Sequence, residues 1–123
     1  MELCFSIEAK DFCFLAKEGS FVIRLEERRR KFVGFIFASI QCSSWLVDTV
    51  EEACLEKEDI AKSYREGDKV LMVHGGTNEA GRFLEVSVYA ERGRKGVLWL
   101  PEGRFGRGWH PFAGELRPMV VPP

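Results

Sequence analysis

The sequence predicts an α+β fold of two tandem ββββα repeats, each an antiparallel four-stranded sheet followed by one helix. Three observations predict it: a charged segment that occurs twice, short runs of alternating apolar residues, and two stretches with helical spacing. A chain of 123 residues is the size of one domain, so neither repeat can bury a core alone. We therefore expect the repeats to pack together as one pseudo-symmetric domain over residues 1–123.

The repeat is clearest in its charged segment. Residues 26–33 read EERRRKFV and residues 90–97 read AERGRKGV, so five identities recur at an offset of 64 residues. At the same offset, the aromatic Phe35 recurs as the aromatic Trp99. Recurrence at a fixed period indicates a duplicated supersecondary unit.

The boundaries of the repeats follow from these echoes. Trp45 recurs as Trp109, each near a predicted helix start, where packing of the helix onto the sheet is the favoured role. We assign repeat I to residues 1–57, repeat II to residues 63–118 and an extended tail to residues 119–123.

In repeat I, residues 3–7 and 21–26 alternate as half-buried strands do, and residues 32–40 are apolar on both faces. Its predicted strands cover residues 3–7, 12–16, 21–26 and 32–40, with the charged cluster 26–31 as the last turn. The connections are too short for crossovers, so the strands should form an antiparallel meander. A helix follows, with Ser43 or Ser44 as its N-cap and Leu46, Val50 and Ala53 on its apolar side.

Repeat II follows the same plan less regularly. Its predicted elements are a short strand at 63–65, strands at 69–74, 83–90 and 96–100, a loop at 75–81 and a helix at 109–116. Pro111 and Gly114 weaken the prediction of this second helix.

Composition limits the classes of function. The net charge is −1 and the pI about 6.2, which excludes a uniformly basic protein but leaves room for local basic patches. The four cysteines form no Cys-x-x-Cys pair, so buried reduced thiols are favoured over a disulfide framework or a zinc site. No signal segment and no membrane-length apolar run is present. We expect an intracellular protein of the nucleus or cytoplasm, with no membrane partner.

Four antiparallel strands and a helix, repeated in tandem, resemble the PUR family and the wider PUR/Whirly-type fold. The resemblance covers nearly the whole chain and is clearest over residues 5–54. It implies a single PUR-like domain whose repeats dock with their helices across each other's strands. It also implies that single-stranded DNA or RNA binds on the exposed sheet faces, and that a homodimer could form through the helices.

Three short segments resemble a second family. The stretches SSW at 43–45, NEAGRF at 78–83 and PEGR at 101–104 are similar to a plant-genome family of unassigned function, often found near retroelement sequences. This second resemblance implies no activity.

The basic residues of the repeated turns are candidate phosphate contacts, because cationic side chains at a sheet rim bind phosphates and release counterions. The candidates are Arg24, Arg28, Arg30, Lys31, Arg92, Arg94, Lys95 and Arg104. A charge run at a hairpin end also serves solvation and edge protection. Both interpretations stay open at this point.

Three aromatic residues are candidates for stacking on bases. Phe35 and Trp99 each follow the repeated lysine by four residues, and a strand would place Lys31 with Phe35, and Lys95 with Trp99, on one face. A cation beside an aromatic ring on a sheet is the arrangement that single-strand binders use. Tyr89 is the third candidate. The alternative for Phe35 and Trp99 is burial in the core.

Enzymatic function finds little support in the sequence. His74 and His110 have no accompanying nucleophile or second ligand at a suitable spacing. The glutamates of 51–58 are best explained as a solvated helix face. We therefore predict no catalytic residue, metal, cofactor or small-molecule substrate, and a non-enzymatic single-stranded DNA/RNA-binding protein. The alternative is a protein-interaction or dimerisation module of the same fold, which would dock through its acidic helix or an exposed apolar sheet.

Overall fold

The computed structural model describes residues 1–121 and confirms the tandem ββββα architecture. Repeat I consists of β1 (Glu2–Ile7), β2 (Lys10–Ala16), β3 (Val22–Arg29), β4 (Phe32–Ser39) and α1 (Ile40–Leu55). Repeat II consists of β5 (Ala61–Glu66), β6 (Lys69–Asn78), β7 (Gly81–Ala90), β8 (Gly93–Pro101), a 3₁₀ turn (Arg104–Gly106) and α2 (Trp109–Val120). Within sheet I (β1–β4) and sheet II (β5–β8) the strands follow chain order, and each is antiparallel to its neighbours.

One apolar core joins the two repeats. Alternation along each strand turns one set of side chains inward, and these pack with the buried faces of α1 and α2. Phe112 of α2 inserts among Phe5, Phe12 and Phe14 of sheet I, with ring centroids 5.2–6.4 Å apart. The helix of repeat II therefore covers the sheet of repeat I, so the helix exchange expected between the repeats is present.

The two sheets meet where β4 and β8 approach each other backbone to backbone. A Cβ atom added to Gly34 would lie 3.1 Å from the Val97 carbonyl oxygen. A Cβ atom added to Gly96 would overlap the Phe35 carbonyl oxygen. The position of Gly96 therefore needs a glycine, whereas a side chain at Gly34 would require its neighbours to shift by a few tenths of an ångström.

The structural repeat differs in register from the sequence echo. Gly34 and Gly96 occupy equivalent positions, which gives an offset of 62 residues along β4 and β8 rather than 64. Trp99 is therefore the counterpart of Phe37, three residues after its glycine, and Phe35 corresponds to Val97.

The charged cluster predicted as the turn 26–31 is mostly strand. β3 continues to Arg29, and only Arg30 and Lys31 form the turn. Glu26 and Glu27 are 4% and 0% exposed. The two carboxylates can be buried because they are paired with cations, as the next section describes. These cations replace the water that would otherwise solvate the negative charges.

The helix and strand boundaries of repeat I and β6 also differ from prediction. α1 begins at Ile40 rather than after Ser43 or Ser44, because the Ser39 hydroxyl accepts the Cys42 N–H at 2.9 Å and caps the helix. The loop predicted at 75–81 is strand through Asn78, since its glycines stay in register with β7.

The predicted extended tail is also corrected at its start. α2 continues to Val120, past Pro118, so residues 119 and 120 are helical. Burial of Leu116 and Val120 offsets the backbone hydrogen bond that Pro118 cannot donate. Val121 is extended, and residues 122–123 lie outside the described part of the chain.

The expectation of reduced thiols is wrong for two of the four cysteines. Cys4 and Cys13 form a disulfide between directly paired positions of β1 and β2, whereas Cys42 and Cys54 are free. Strand register decides this pairing, and register is not visible in cysteine spacing. Among residues 1–121, no helix combines the length and apolar character that crossing a membrane requires.

Candidate nucleic-acid interface

The outer face of sheet I carries cations and aromatic rings side by side. We call this surface the sheet I face; it consists of the outward side chains of β3 and β4. Antiparallel register pairs them across the two strands as Arg24 with Phe37, Glu26 with Phe35, and Arg28 with Val33. Because successive side chains point to opposite faces, the apolar partners of β4 lie away from the helices.

A buried carboxylate organises this surface. The Arg24 guanidinium lies 4.1 Å above the centre of the Phe35 ring and 2.9 Å from a Glu26 oxygen. Arg28 contacts the other Glu26 oxygen at 2.7 Å. Glu26 therefore holds both guanidinium groups in place and neutralises one of the two charges, which leaves one positive charge on the trio.

The aromatic rings of the sheet I face are accessible. Phe35 is 40% exposed, Phe37 is 51% exposed and Val33 is 56% exposed. The core alternative for Phe35 is thus excluded by the geometry. Because the Arg24 guanidinium covers one face of the Phe35 ring, the stacking surfaces offered to a base are the outer face of the guanidinium plane and the neighbouring Phe37 ring.

Sheet II places the other two aromatic candidates on its own outer face. Trp99 is partly buried, and its ring centre lies 5.4 Å from that of Phe83. Tyr89 is partly buried four residues after Glu85 on the same face of β7, opposite Arg94. Arg94 lies 3.8 Å from the Glu85 carboxylate. The stacking candidates of repeat II are therefore less open than Phe35.

The backbone of Trp99 is fastened to repeat I. Its N–H donates to Glu27 Oε1 at 2.7 Å, and its carbonyl accepts from Lys10 Nζ at 2.9 Å. Lys10 Nζ also lies 2.9 Å from Glu27 Oε2, oriented as an ion pair rather than a hydrogen bond. We call this arrangement the Trp99 clasp. It gives hydrogen-bond partners to the Trp99 N–H and carbonyl at the edge of β8, and it fixes the position of the tryptophan.

The predicted phosphate contacts fall in separate places. Arg30 and Lys31 are exposed in the β3–β4 turn, Arg92 in the β7–β8 turn, Lys95 at the bulge of β8, and Arg104 in the 3₁₀ turn. Within residues 1–121 none of these five forms an ion pair. The structure brings Arg24 and Arg28 onto one surface with Phe35 in sheet I, and it brings Arg94 opposite Tyr89 in sheet II.

Sequence reasoning missed several residues of the grooves beside these surfaces. Phe37 lies on the same side of its strand as Phe35, and Phe83 on the same side as Glu85. Consistent use of the alternation of strand side chains would therefore have placed both rings on the outer faces. Arg29 and Arg82 line a groove with Trp99. Arg29 belongs to the repeated charged segment 26–33 but was not predicted as a contact, and no local signal marks Arg82. Contact between the repeats brings both side chains to the groove.

The free thiols are poor candidates for chemistry. Burial, and secondarily the charge of Glu66, raises the pKa of the Cys42 thiol to about 12. Burial also raises the pKa of Cys54. In the described residues the one group close enough to hold a metal is Glu2 with Cys4 and Cys13, and its sulfurs are consumed by the disulfide.

Comparison with known proteins adds no family to this geometry: no protein-family model matches the chain, and no curated protein sequence matches it. The functional argument therefore rests on the surfaces described above.

Proposed function

We propose that the protein binds single-stranded DNA or RNA without enzymatic activity, using the sheet I face and the neighbouring β3–β4 turn. The observation that carries the proposal is the Arg24 guanidinium held 4.1 Å above the exposed Phe35 ring. An unpaired base can stack on such a guanidinium plane or on the adjacent Phe37 ring, which a base inside a duplex cannot do.

Phosphate binding is the second part of the proposal. Arg30 and Lys31 follow directly from β3, so their charges lie at the end of the strand that carries Arg24 and Arg28. Cations at the end of a stacking surface suit a strand whose bases lie on the sheet and whose backbone passes the turn. The net charge of −1 restricts this attraction to a local patch.

The tandem ββββα fold is consistent with the resemblance to PUR/Whirly-type binders, and membership of that family is part of the proposal. We place the proposed activity in the nucleus or cytoplasm, without a cofactor. Disulfides are rare in those compartments, so the proposal requires that Cys4 and Cys13 be reduced there without loss of the fold.

A salt titration of oligonucleotide binding tests the proposal. Fluorescence anisotropy with labelled single-stranded and double-stranded DNA and RNA should show preference for single strands and an affinity that falls as salt rises. The Arg30→Ala/Lys31→Gly double variant should lower the magnitude of the log–log salt slope by about 1.4, since each phosphate contact on a single strand contributes about 0.7.

A matched control removes two exposed cations elsewhere. Lys57→Ala/Arg65→Ala makes the same change in net charge, at positions that line neither the β3–β4 turn nor the sheet I face. It should leave the slope nearly unchanged. No binding at low salt, or equal effects of the two double variants, would overturn the proposal.

A second candidate function rests on a different observation. Val33, Phe35 and Phe37 form an exposed apolar row on the edge strand β4, continued by Val22 and Phe21. An apolar row of this kind also suits a protein partner or a second copy of the chain. Sedimentation analysis separates the alternatives: dimerisation that is lost in Phe37→Ser, with no oligonucleotide binding, would favour the interaction module.

A further inference from the structure

A groove lies where the β1–β2 turn of repeat I meets the outer face of sheet II. It has a volume of about 420 Å³ and contains the Phe83–Trp99 ring pair. Its remaining lining is Glu8, Lys10, Arg29, Asn78, Ala80, Arg82 and Pro101. Aromatic rings and cations therefore share one concavity between the repeats.

A second groove continues from the first. It has a volume of about 620 Å³ and is also lined by Glu8, Ala80 and Arg82, so the two are contiguous. It adds Arg104 and Arg107 from the segment before α2. We call the two together the junction groove. Each part has the volume of a small-ligand site.

The junction groove is positively charged at the end away from the rings. Its lining holds five cations and two carboxylates, and the Lys10 charge is balanced by the buried Glu27. Glu102 pairs with Arg82 at 3.0 Å. Arg104 and Arg107 keep their charges free of ion pairs within residues 1–121, and both are exposed to an incoming anion.

The ring end and the middle of the junction groove are held in place before any ligand arrives. The Trp99 clasp fixes the ring end through two backbone hydrogen bonds. Arg82 stands between the two parts, 5.0 Å above the buried Trp109 ring, with its carbonyl accepting the Glu102 N–H at 2.9 Å. Preorganisation of this kind lowers the entropic cost of binding.

The pseudo-equivalent junction lacks these features. There the β5–β6 turn meets Phe37, the counterpart of Trp99, around a cavity of about 110 Å³. Val88 lines it at the position that Glu27 holds in repeat I, and its only cation is Lys69. The duplicated fold does not by itself require the cations and open volume, so they are specific to one junction.

From these observations we propose that the junction groove binds one nucleotide unit of a single strand. The base stacks on the Phe83–Trp99 pair, and the phosphate lies against Arg104 and Arg107, with Arg82 between them. A flat ring joined to a phosphate matches a groove that is aromatic at one end and cationic at the other. The inference rests on the proposed function and adds a second, separate contact site for the same ligand.

Tryptophan fluorescence gives the test a direct readout. Of the three tryptophans, Trp99 alone lines the junction groove. Titration of the full chain with a 12-mer of deoxythymidylate should quench the emission, and Trp99→Phe should retain binding but lose most of the quench. Arg104→Ala/Arg107→Ala should weaken binding roughly 5- to 150-fold if the phosphate contacts match the energy of one stacked base. Lys57→Ala/Arg65→Ala, which removes two exposed cations outside the groove, is the matched control.

The outcomes separate this inference from the proposed function. Salt-dependent binding with no Trp99 quench and no effect of the Arg104/Arg107 double variant would overturn the groove site and leave the sheet I face intact. Absence of any oligonucleotide binding would overturn both. Loss of the quench in Trp99→Phe and weaker binding in Arg104→Ala/Arg107→Ala, each at an unchanged melting temperature, would support the groove site.

Discussion

The Trp99 clasp predicts a large and specific loss of stability when its carboxylate is removed. Glu27 is fully buried, accepts the Trp99 N–H at 2.7 Å and pairs with Lys10 at 2.9 Å. Glu27→Ala leaves a mostly buried ammonium and a backbone N–H without their partner. Removal of one member of a buried ion pair costs about 3–5 kcal/mol.

The lower end of that range applies here. The Lys10 side chain is 18% exposed and keeps its hydrogen bond to the Trp99 carbonyl, so we expect a loss of about 3 kcal/mol. With an unfolding entropy of about 2.1 cal/mol/K per residue, this corresponds to a melting temperature lower by about 12 °C. Urea denaturation followed by far-ultraviolet circular dichroism measures the free energy directly.

Two further variants test whether the buried charge causes the loss of stability. Glu27→Leu/Lys10→Met replaces both charges with apolar groups and should recover much of the stability, because no charge is left buried without a partner. Glu58→Ala, at an exposed carboxylate that forms no ion pair within residues 1–121, should change the free energy of unfolding by less than about 0.5 kcal/mol. A cost below about 1 kcal/mol for Glu27→Ala, or a double variant no better than the single one, would refute the reasoning.

Three other predictions follow from backbone and thiol geometry. Gly96→Ala should destabilise by about 1–3 kcal/mol, because its Cβ would overlap a backbone oxygen of β4; Gly114→Ala, whose Cβ meets open space, should instead stabilise by about 0.5–1 kcal/mol in the same denaturation assay. Lys31 has φ 64°, a left-handed conformation that glycine adopts at lower cost. Lys31→Gly should therefore raise the free energy of unfolding by up to about 1 kcal/mol while weakening oligonucleotide binding. A loss of stability would contradict this prediction. The raised pKa of Cys42, about 12, leaves a thiolate fraction of about 10⁻⁴ at pH 8, so maleimide should label Cys54 first and Cys42 only on unfolding. Equal labelling rates of Cys42 and Cys54 would contradict the burial argument. Since the pKa of Cys42 in the folded protein lies above the ordinary 9.0, the stability that the protonated thiol contributes is present below pH 9 and is lost as the pH rises toward 12.

The sequence determined the order of the elements and the faces of the strands. Period-two alternation predicted β1, β3 and β7, and β4 was predicted as a strand that is apolar on both faces. The alternating direction of strand side chains was enough to place Phe35 on a face opposite Ile36. The repeated charged segment was enough to predict duplication, although its offset misplaced the counterpart of Trp99. Such patterns are local, because side-chain direction follows from the periodicity of the backbone alone.

The tertiary structure decided which charges are buried and which residues meet between the repeats. Glu26 and Glu27 read as parts of a solvated turn, yet their cations lie on neighbouring positions or on a different strand. The Cys4–Cys13 bond depends on strand register in the same way. A burial penalty is offset only by partners that the fold supplies. Lys10, the partner of Glu27, lies on another strand, so no local pattern could have shown it. Arg24 and Arg28 are close to Glu26 in sequence, but it is the continuation of β3 to Arg29 that aligns all three on one face.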